Sequence, residues 1–365
     1  MPLPCTYSLA LAILEAAHYG DYMPILLSDP ILAIFCLLCA TFFAAGLVRV
    51  MINLAVLDHP GHRSAHETPV PKGGGVGVMA SFFLFFPLVQ DITGHSVLQA
   101  DVILTAVATA LLACVSWADD LYQWPPSIKL VAQCAAAALV IAGGTATAWP
   151  THTYGLGLSL FWLMFITNAV NFMDGLNGLI SGCLIVGNLF VAATGAYFGL
   201  PDLIWPALML AGCLCGFLPF NFPKARIFLG DVGSQGCGLL AGTAALYMTR
   251  HTIQPSGWVL GPALLFPLIF DVLFTLARRM VAGQPLTQAH RGHIYQVLHR
   301  SGMNPVLITL CECGFVLWGG FVAIYVASQP AIVGACLALP LLVAPQLGWL
   351  ALAVIRTRRH PVGPW

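Results

Sequence analysis

Two adjacent carboxylates, Asp119 and Asp120, stand at the end of an apolar run, where charge is costly and its retention points to a working group. A third, Asp231, lies between glycines in Phe228-Leu229-Gly230-Asp231-Val232-Gly233-Ser234. Asn171 and Asp174 are spaced i,i+3, so a helical end puts both on one face before Gly175 breaks it. Oxygen donors of this kind suit a hard divalent cation. Two cationic segments stand against them. One holds His62, Arg63, His66 and Lys72, stiffened by Pro60, Pro69 and Pro71 and opened to close backbone approach by Gly73, Gly74 and Gly75. The other is His290-Arg291-Gly292-His293, where an arginine between histidines fits a pyrophosphate better than zinc, because no further Cys or carboxylate completes a zinc site. Lys129, beyond Pro125-Pro126, can balance the aspartate pair or serve only as a topogenic charge. Each segment also has a plainer reading: a basic loop, a solvated helix end, a polar helix contact, a helix cap, or idle surface histidines. Taken together, carboxylates gather metal and cations gather phosphate, which reads as metal-assisted phosphoryl transfer involving a lipid.

The elements that must position these groups are membrane spans. The chain has 365 residues, of which 59% are apolar and 8% charged, with a net charge of zero. Its mean hydropathy is +0.87. So little polar surface excludes a soluble globule, the apolar content excludes disorder, and the lack of basic excess argues against nucleic-acid binding. Eleven apolar runs approach the length needed to cross the hydrocarbon: 31–55, 74–90, 101–118, 128–143, 157–173, 178–198, 203–219, 234–249, 258–277, 306–327 and 331–355. Most of the twelve Cys lie inside these runs, where a free thiol packs as a small hydrophobe. The expected fold is therefore an all-α integral membrane bundle, a single domain over 31–365.

Alternate loops form two sets. All fourteen Lys and Arg except Arg250 fall in one set and its helix ends, the set containing 56–73, 119–127, 174–177, 220–233, 278–305 and the tail from Arg356. The positive-inside rule puts that set in the cytoplasm, with the N-terminus outside and the C-terminus inside. All five polar segments share that face. Residues 1–30, broken by Glu15, His18 and Asp21 and lacking a basic start, suit an interfacial helix or a misassigned start ahead of Met23 better than a cleaved signal. A transporter of an anionic substrate is the alternative class, but it would place polar groups near the midplane and often carries a repeat, and none is evident here. An intramembrane aspartyl protease would pair Asp119 with Asp231 and ignore Mg²⁺.

In order along 45–305, these motifs resemble the polyprenyl-phosphate N-acetylhexosamine-1-phosphate transferases. The segments carrying the resemblance are His62 to Gly75, Asp119-Asp120, Asn171-Phe172-Met173-Asp174-Gly175, Phe228 to Ser234, and His290-Arg291-Gly292-His293-Ile294-Tyr295-Gln296. The last is similar to the branch that starts O-antigen or related surface glycans. Asn177 departs from the pattern, standing where the family often has a second aspartate. The resemblance implies a bundle of about ten or eleven helices in a bacterial inner membrane, with a cytoplasmic active site. It implies Mg²⁺, for which Mn²⁺ can substitute, a UDP-N-acetylhexosamine donor and undecaprenyl phosphate as acceptor, and it leaves a homodimer open. On it, Asp231 and Asn171 are expected as metal ligands. Asp119 would orient the acceptor, and Asp120 would support it or the metal. Asp174 and Asn221 would contact the nucleotide, and His290, Arg291 and His293 would hold the diphosphate. Lys72 and Lys129 would contact phosphate or uridine.

Overall fold

The computed structural model describes residues 30–58, 69–148, 151–285, 290–363 and 365. The N-terminal segment up to residue 29, and His62, Arg63 and His66, lie outside the described residues. Among those described, the chain is a helical bundle built from α1 (Pro30–Leu54), α2 (Gly74–Ile92), α3 (Ala100–Tyr122), α4 (Pro126–Val140), α5 (His152–Met173), α6 (Leu179–Phe198), α7 (Ile204–Asn221), α8 (Gly230–His251), α9 (Leu260–Leu264), α10 (Phe266–Val281), α11 (Ile294–Arg300), α12 (Pro305–Ala327) and α13 (Ala331–Arg359). A π-helical turn, Ile141–Thr145, extends α4. A two-stranded antiparallel pair, β1 (Leu57–Asp58) and β2 (Val70–Pro71), with Leu57 opposite Pro71, closes the first polar segment.

Nine described helices are long and apolar enough to cross a membrane, or ten if α9 and α10 count as one broken span. Every expected run coincides with a helix, and the protein is an all-α multi-pass membrane protein. Two runs differ from expectation in a way that has a cause. The run 258–277 is bent by 71°. Leu265 leaves helical geometry there and Pro267 restarts the helix, since a proline cannot donate into the preceding turn. The run 234–249 belongs to the 22-residue α8, which carries fewer apolar side chains than the others.

The position of α8 explains that composition. It runs through the bundle, packed on α2, α3, α5 and α9, so small residues rather than lipid-facing ones line it. A Cβ at Gly238 would lie 2.9 Å from the Thr167 Cα, and one at Gly261 would lie 2.3 Å from the Ala245 Cβ. Lipid-facing apolar groups sit instead on peripheral helices, such as Phe42 on α1, Phe321 on α12 and Leu339 on α13. The core gathers Met173, Phe217, Leu229 and Tyr295 beneath the end that carries the polar segments.

Candidate active site

The first and fourth polar segments are zipped together by backbone. Gly74 N–H donates to Phe228 O at 2.9 Å, Gly75 N–H to Leu229 O at 2.8 Å, and Phe228 N–H to Pro71 O at 2.8 Å. Such closeness requires glycine: a Cβ on Gly75 would lie 2.2 Å from Gly233 N. Gly230 turns with φ +72° and starts α8, so Asp231 is in its first turn, where a carboxylate suits the helix N-terminus.

The α3–α4 hairpin supplies the next groups. Gln123 adopts φ +53° as a left-handed cap of α3, and its N–H donates to Asp119 O. Trp124 N–H donates to Asp119 Oδ1 at 2.7 Å, which folds the chain back and brings Lys129 beneath the aspartate. Lys129 Nζ then lies 2.5 Å from Asp119 Oδ2 and 2.5 Å from Asp231 Oδ2. Asn171, at the end of α5, donates from Nδ2 to Asp231 Oδ1 at 3.0 Å and to Ser234 Oγ at 2.9 Å. Lys72 pairs with Asp120 Oδ1 at 2.9 Å, while Asp120 Oδ2 is buried with no protein partner. Three carboxylates and two ammonium groups from three distant stretches of chain, with Asn171 from a fourth, thus share one place. Behind them Gln133, Asn168 and Gln235 form a buried amide network joining α4, α5 and α8, a support that isolated amides in apolar runs do not announce.

Asp174 caps α5 and is half-buried; burial first, and then the charge of Asp231, push its carboxyl up to about 7. The last segment docks on the third through Tyr295, which is fully buried and donates to Phe172 O at 3.0 Å. Asp271 organises this loop. Its Oδ1 meets His293 Nδ1 at 2.9 Å and accepts from Ile294 N–H at 3.1 Å, and its Oδ2 accepts from Tyr295 N–H at 3.2 Å. The His293 ring lies 6.3 Å from Phe172 and 5.0 Å from His290. Burial and the neighbouring His293, Arg279 and Arg278 lower His290 to about 4, so it is neutral near pH 7.

Arg291 does not join the aspartates. With His290, Arg278, Arg279, Arg300 and Trp365 it lines a separate cavity of about 220 Å³ that has no acidic lining residue among the described residues. Asn221 has a structural task in addition to the one expected of it. It is buried; its Oδ1 accepts from Gly178 N–H at 2.6 Å and its Nδ2 donates to Ile227 O at 2.9 Å, so both polar atoms latch loop to loop. Asn177 likewise donates to Pro223 O.

Among the described residues, no three His, Cys, Asp or Glu side chains gather closely enough to form a metal site alone. Lys129 Nζ occupies the ground between Asp119 and Asp231, and Lys72 pairs with Asp120. The donor set nevertheless fits Mg²⁺, which takes oxygen ligands, accepts one or two carboxylates, and completes its shell with water and substrate phosphate. The unpartnered, buried Asp120 Oδ2 beside this cluster is a further open acceptor.

The model of Glycosyl transferase family 4 matches residues 102–249, the stretch holding Asp119, Lys129, Asn171 and Asp231. The decaprenyl-phosphate N-acetylglucosaminephosphotransferase of Mycobacterium leprae (strain TN) is 30% identical, covering 79% of this chain and 80% of that protein. The probable undecaprenyl-phosphate N-acetylglucosaminyl 1-phosphate transferase of Bacillus subtilis (strain 168) is 26% identical over 70% of this chain and 73% of its own length. The undecaprenyl-phosphate alpha-N-acetylglucosaminyl 1-phosphate transferase of Escherichia coli (strain K12) is 24% identical over 78% of this chain and 80% of its own. With its ordered motifs gathered at one end of a multi-pass bundle, the chain belongs to the polyprenyl-phosphate N-acetylhexosamine-1-phosphate transferases of glycosyl transferase family 4, and it is a transferase enzyme.

Proposed function

We propose that this enzyme transfers N-acetylhexosamine 1-phosphate from a UDP-linked donor to undecaprenyl phosphate, with Mg²⁺, at the cytoplasmic face of the inner membrane. The observation that carries the reading is the bridge of Lys129 between Asp119 and Asp231, with Asn171 on the second carboxylate. The names of the relatives support the lipid phosphate acceptor and the sugar phosphate. The charge asymmetry of the loops supports the cytoplasmic placement, with the C-terminus inside.

In this reaction an acceptor phosphate oxygen forms a bond to the β-phosphorus of the donor. The bond from that phosphorus to the bridging oxygen breaks, and UMP leaves with the electron pair. The acceptor, a monoester with a second pKa of about 6, is already largely dianionic at pH 7. The difficulty is bringing two anions together, so positive charge matters more than a strong base. Lys129 and Lys72 supply it beside the aspartates. Asp119, held by Trp124 N–H, orients the acceptor, and Asp120 steers Lys72. Asp231 and Asn171, the latter through its Oδ1, would hold Mg²⁺, which when bound supplies charge neutralisation between the phosphates. Asp174, protonated below about 7, presents a hydroxyl rather than a further negative charge to the nucleotide side. The Arg291 cavity, which neutral His290 also lines, offers positive charge to the phosphate of the donor that does not react. A lysine between Asp119 and Asp231 argues against a protease dyad, which needs the two carboxylates to share one proton.

The test uses the purified chain in detergent, undecaprenyl phosphate and a panel of UDP-N-acetylhexosamines, with mass spectrometry of the lipid. The reading expects an undecaprenyl diphosphate-linked sugar and free UMP, lost in EDTA and restored by Mg²⁺ or Mn²⁺. Absence of product with every donor, or turnover indifferent to EDTA, would overturn it.

A further inference from the structure

At the opposite end of the bundle, α2, α3, α6, α7 and α8 enclose a second cavity, of about 120 Å³. Asp101 on its rim is at the other end of α3 from Asp119, about 27 Å away at the helical rise per residue, so the cavity is no part of the aspartate site. Its interior is apolar, walled by Phe82, Phe86, Leu210 and Leu240. Its rim is polar and acidic, with Gln90, Asp101, Asp202 and Tyr247, and among the described residues no Lys or Arg lines it.

The rim has acceptors in excess. Tyr247 OH donates to Asp202 Oδ2 at 2.7 Å. Gln90 is only 3% exposed, and among the described residues its Oε1 has no partner. Outside the rim, His95 Nε2 lies 3.7 Å from Asp202 Oδ1. Buried acceptors without donors cost free energy, so the rim is built for a donor from outside the chain.

We propose that this cavity binds a primary ammonium group carried on an apolar stem. An ammonium group has three donors and no acceptor, matching a rim that holds the Asp101 and Asp202 carboxylates and the unpartnered Gln90 carbonyl oxygen. The stem fills the pocket between Phe82, Phe86 and Leu210. A phosphate or carboxylate head meets two carboxylates and is repelled. The ammonium has two chemical sources, the headgroup of an aminophospholipid or a free amphiphilic amine.

The test is ligand binding to the full chain in detergent, followed by thermal midpoint and calorimetry, with octylammonium chloride against octanol, octanoate and methylammonium at equal concentration. A ligand that binds only the folded chain raises the midpoint saturably. Octylammonium alone is expected to do so. Gln90→Leu and Asp202→Asn should each weaken it by about tenfold or more, as loss of a charged hydrogen bond does, while transferase turnover, an independent check of folding, stays at wild-type level. Ala106→Leu, which fills the apolar wall, provides a second route should either variant fail to insert. Nanodiscs of phosphatidylethanolamine, compared with phosphatidylcholine, separate the sources: competition with octylammonium assigns the lipid headgroup, and its absence assigns the free amine. Equal shifts with octanol, or binding unchanged in all three variants, would overturn the proposal.

Discussion

The aspartate cluster and the arginine-lined cavity lie at the same end of the bundle and are opposite in charge logic. In the first, Asp119, Asp120 and Asp231 are interleaved with Lys72 and Lys129, so each charge has a counter-charge within the chain. In the second, Arg278, Arg279, Arg291 and Arg300 line a cavity that has no acidic lining residue among the described residues. The two meet where the His293 ring packs near Phe172, next to Asn171. On the proposed function, the difference divides the work: the mixed cluster would handle a reacting phosphate together with a cation, and the arginines would receive an anion.

The comparison breaks most visibly at the aspartates. Asp231→Ala and Asp119→Asn should each lower turnover by about a thousandfold or more, in line with loss of preorganised electrostatics, while the protein still inserts in membranes. Turnover near wild type in either would remove the mixed cluster from the chemistry. Asp271→Asn should come next. It weakens the anchor of His293 and Tyr295, costing about 1–3 kcal/mol, to be read as a lower thermal midpoint together with reduced kcat/KM. Arg291→Ala sharpens the contrast. The KM for the nucleotide sugar should rise about tenfold with kcat little changed, the size of one lost charged hydrogen bond. An unchanged KM would take Arg291 out of anion binding.

The smallest effect concerns Asp174. Its carboxyl stays protonated in the folded chain up to about 7. In the unfolded chain it ionises near pH 4. Between those values the unfolded state holds fewer protons, so this group's contribution to stability falls as pH rises through the window and is lowest above it. Asp174→Asn should therefore raise the midpoint relative to wild type at pH 8 and leave it nearly unchanged at pH 4. An equal shift at both pH values would show that the carboxyl is not held protonated by its surroundings.

Sequence reading succeeds where one physical signal dominates. Apolar length located every span, and polar groups at span ends located the aspartates, because hydrocarbon tolerates few charges without a purpose. It fails where the same residue type serves two ends. Asn221 reads equally as a ligand contact and as a backbone latch; only the positions of Gly178 and Ile227 reveal the latch. Asp271 looks like a solitary packed carboxylate because its partner His293 is 22 residues away, beyond the α10–loop turn. The bend at Leu265 is hidden because the apolar run continues through it, with Pro267 as its only sign. Lys129, which sequence leaves open between topology and phosphate contact, gains its meaning only from the hairpin that places it between two aspartates.

That bridge can be tested through a double-mutant cycle of thermal stability in EDTA with Lys129→Gln and Asp231→Asn. In the wild-type background Asp231→Asn removes an ion-pair partner and should destabilise. With Lys129 already replaced, it relieves repulsion from Asp119 and should be neutral or stabilising, a coupling of about 1 kcal/mol or more. Additive effects of the two substitutions would mean that Lys129 and Asp231 do not meet, and the convergence on which the site rests would be contradicted.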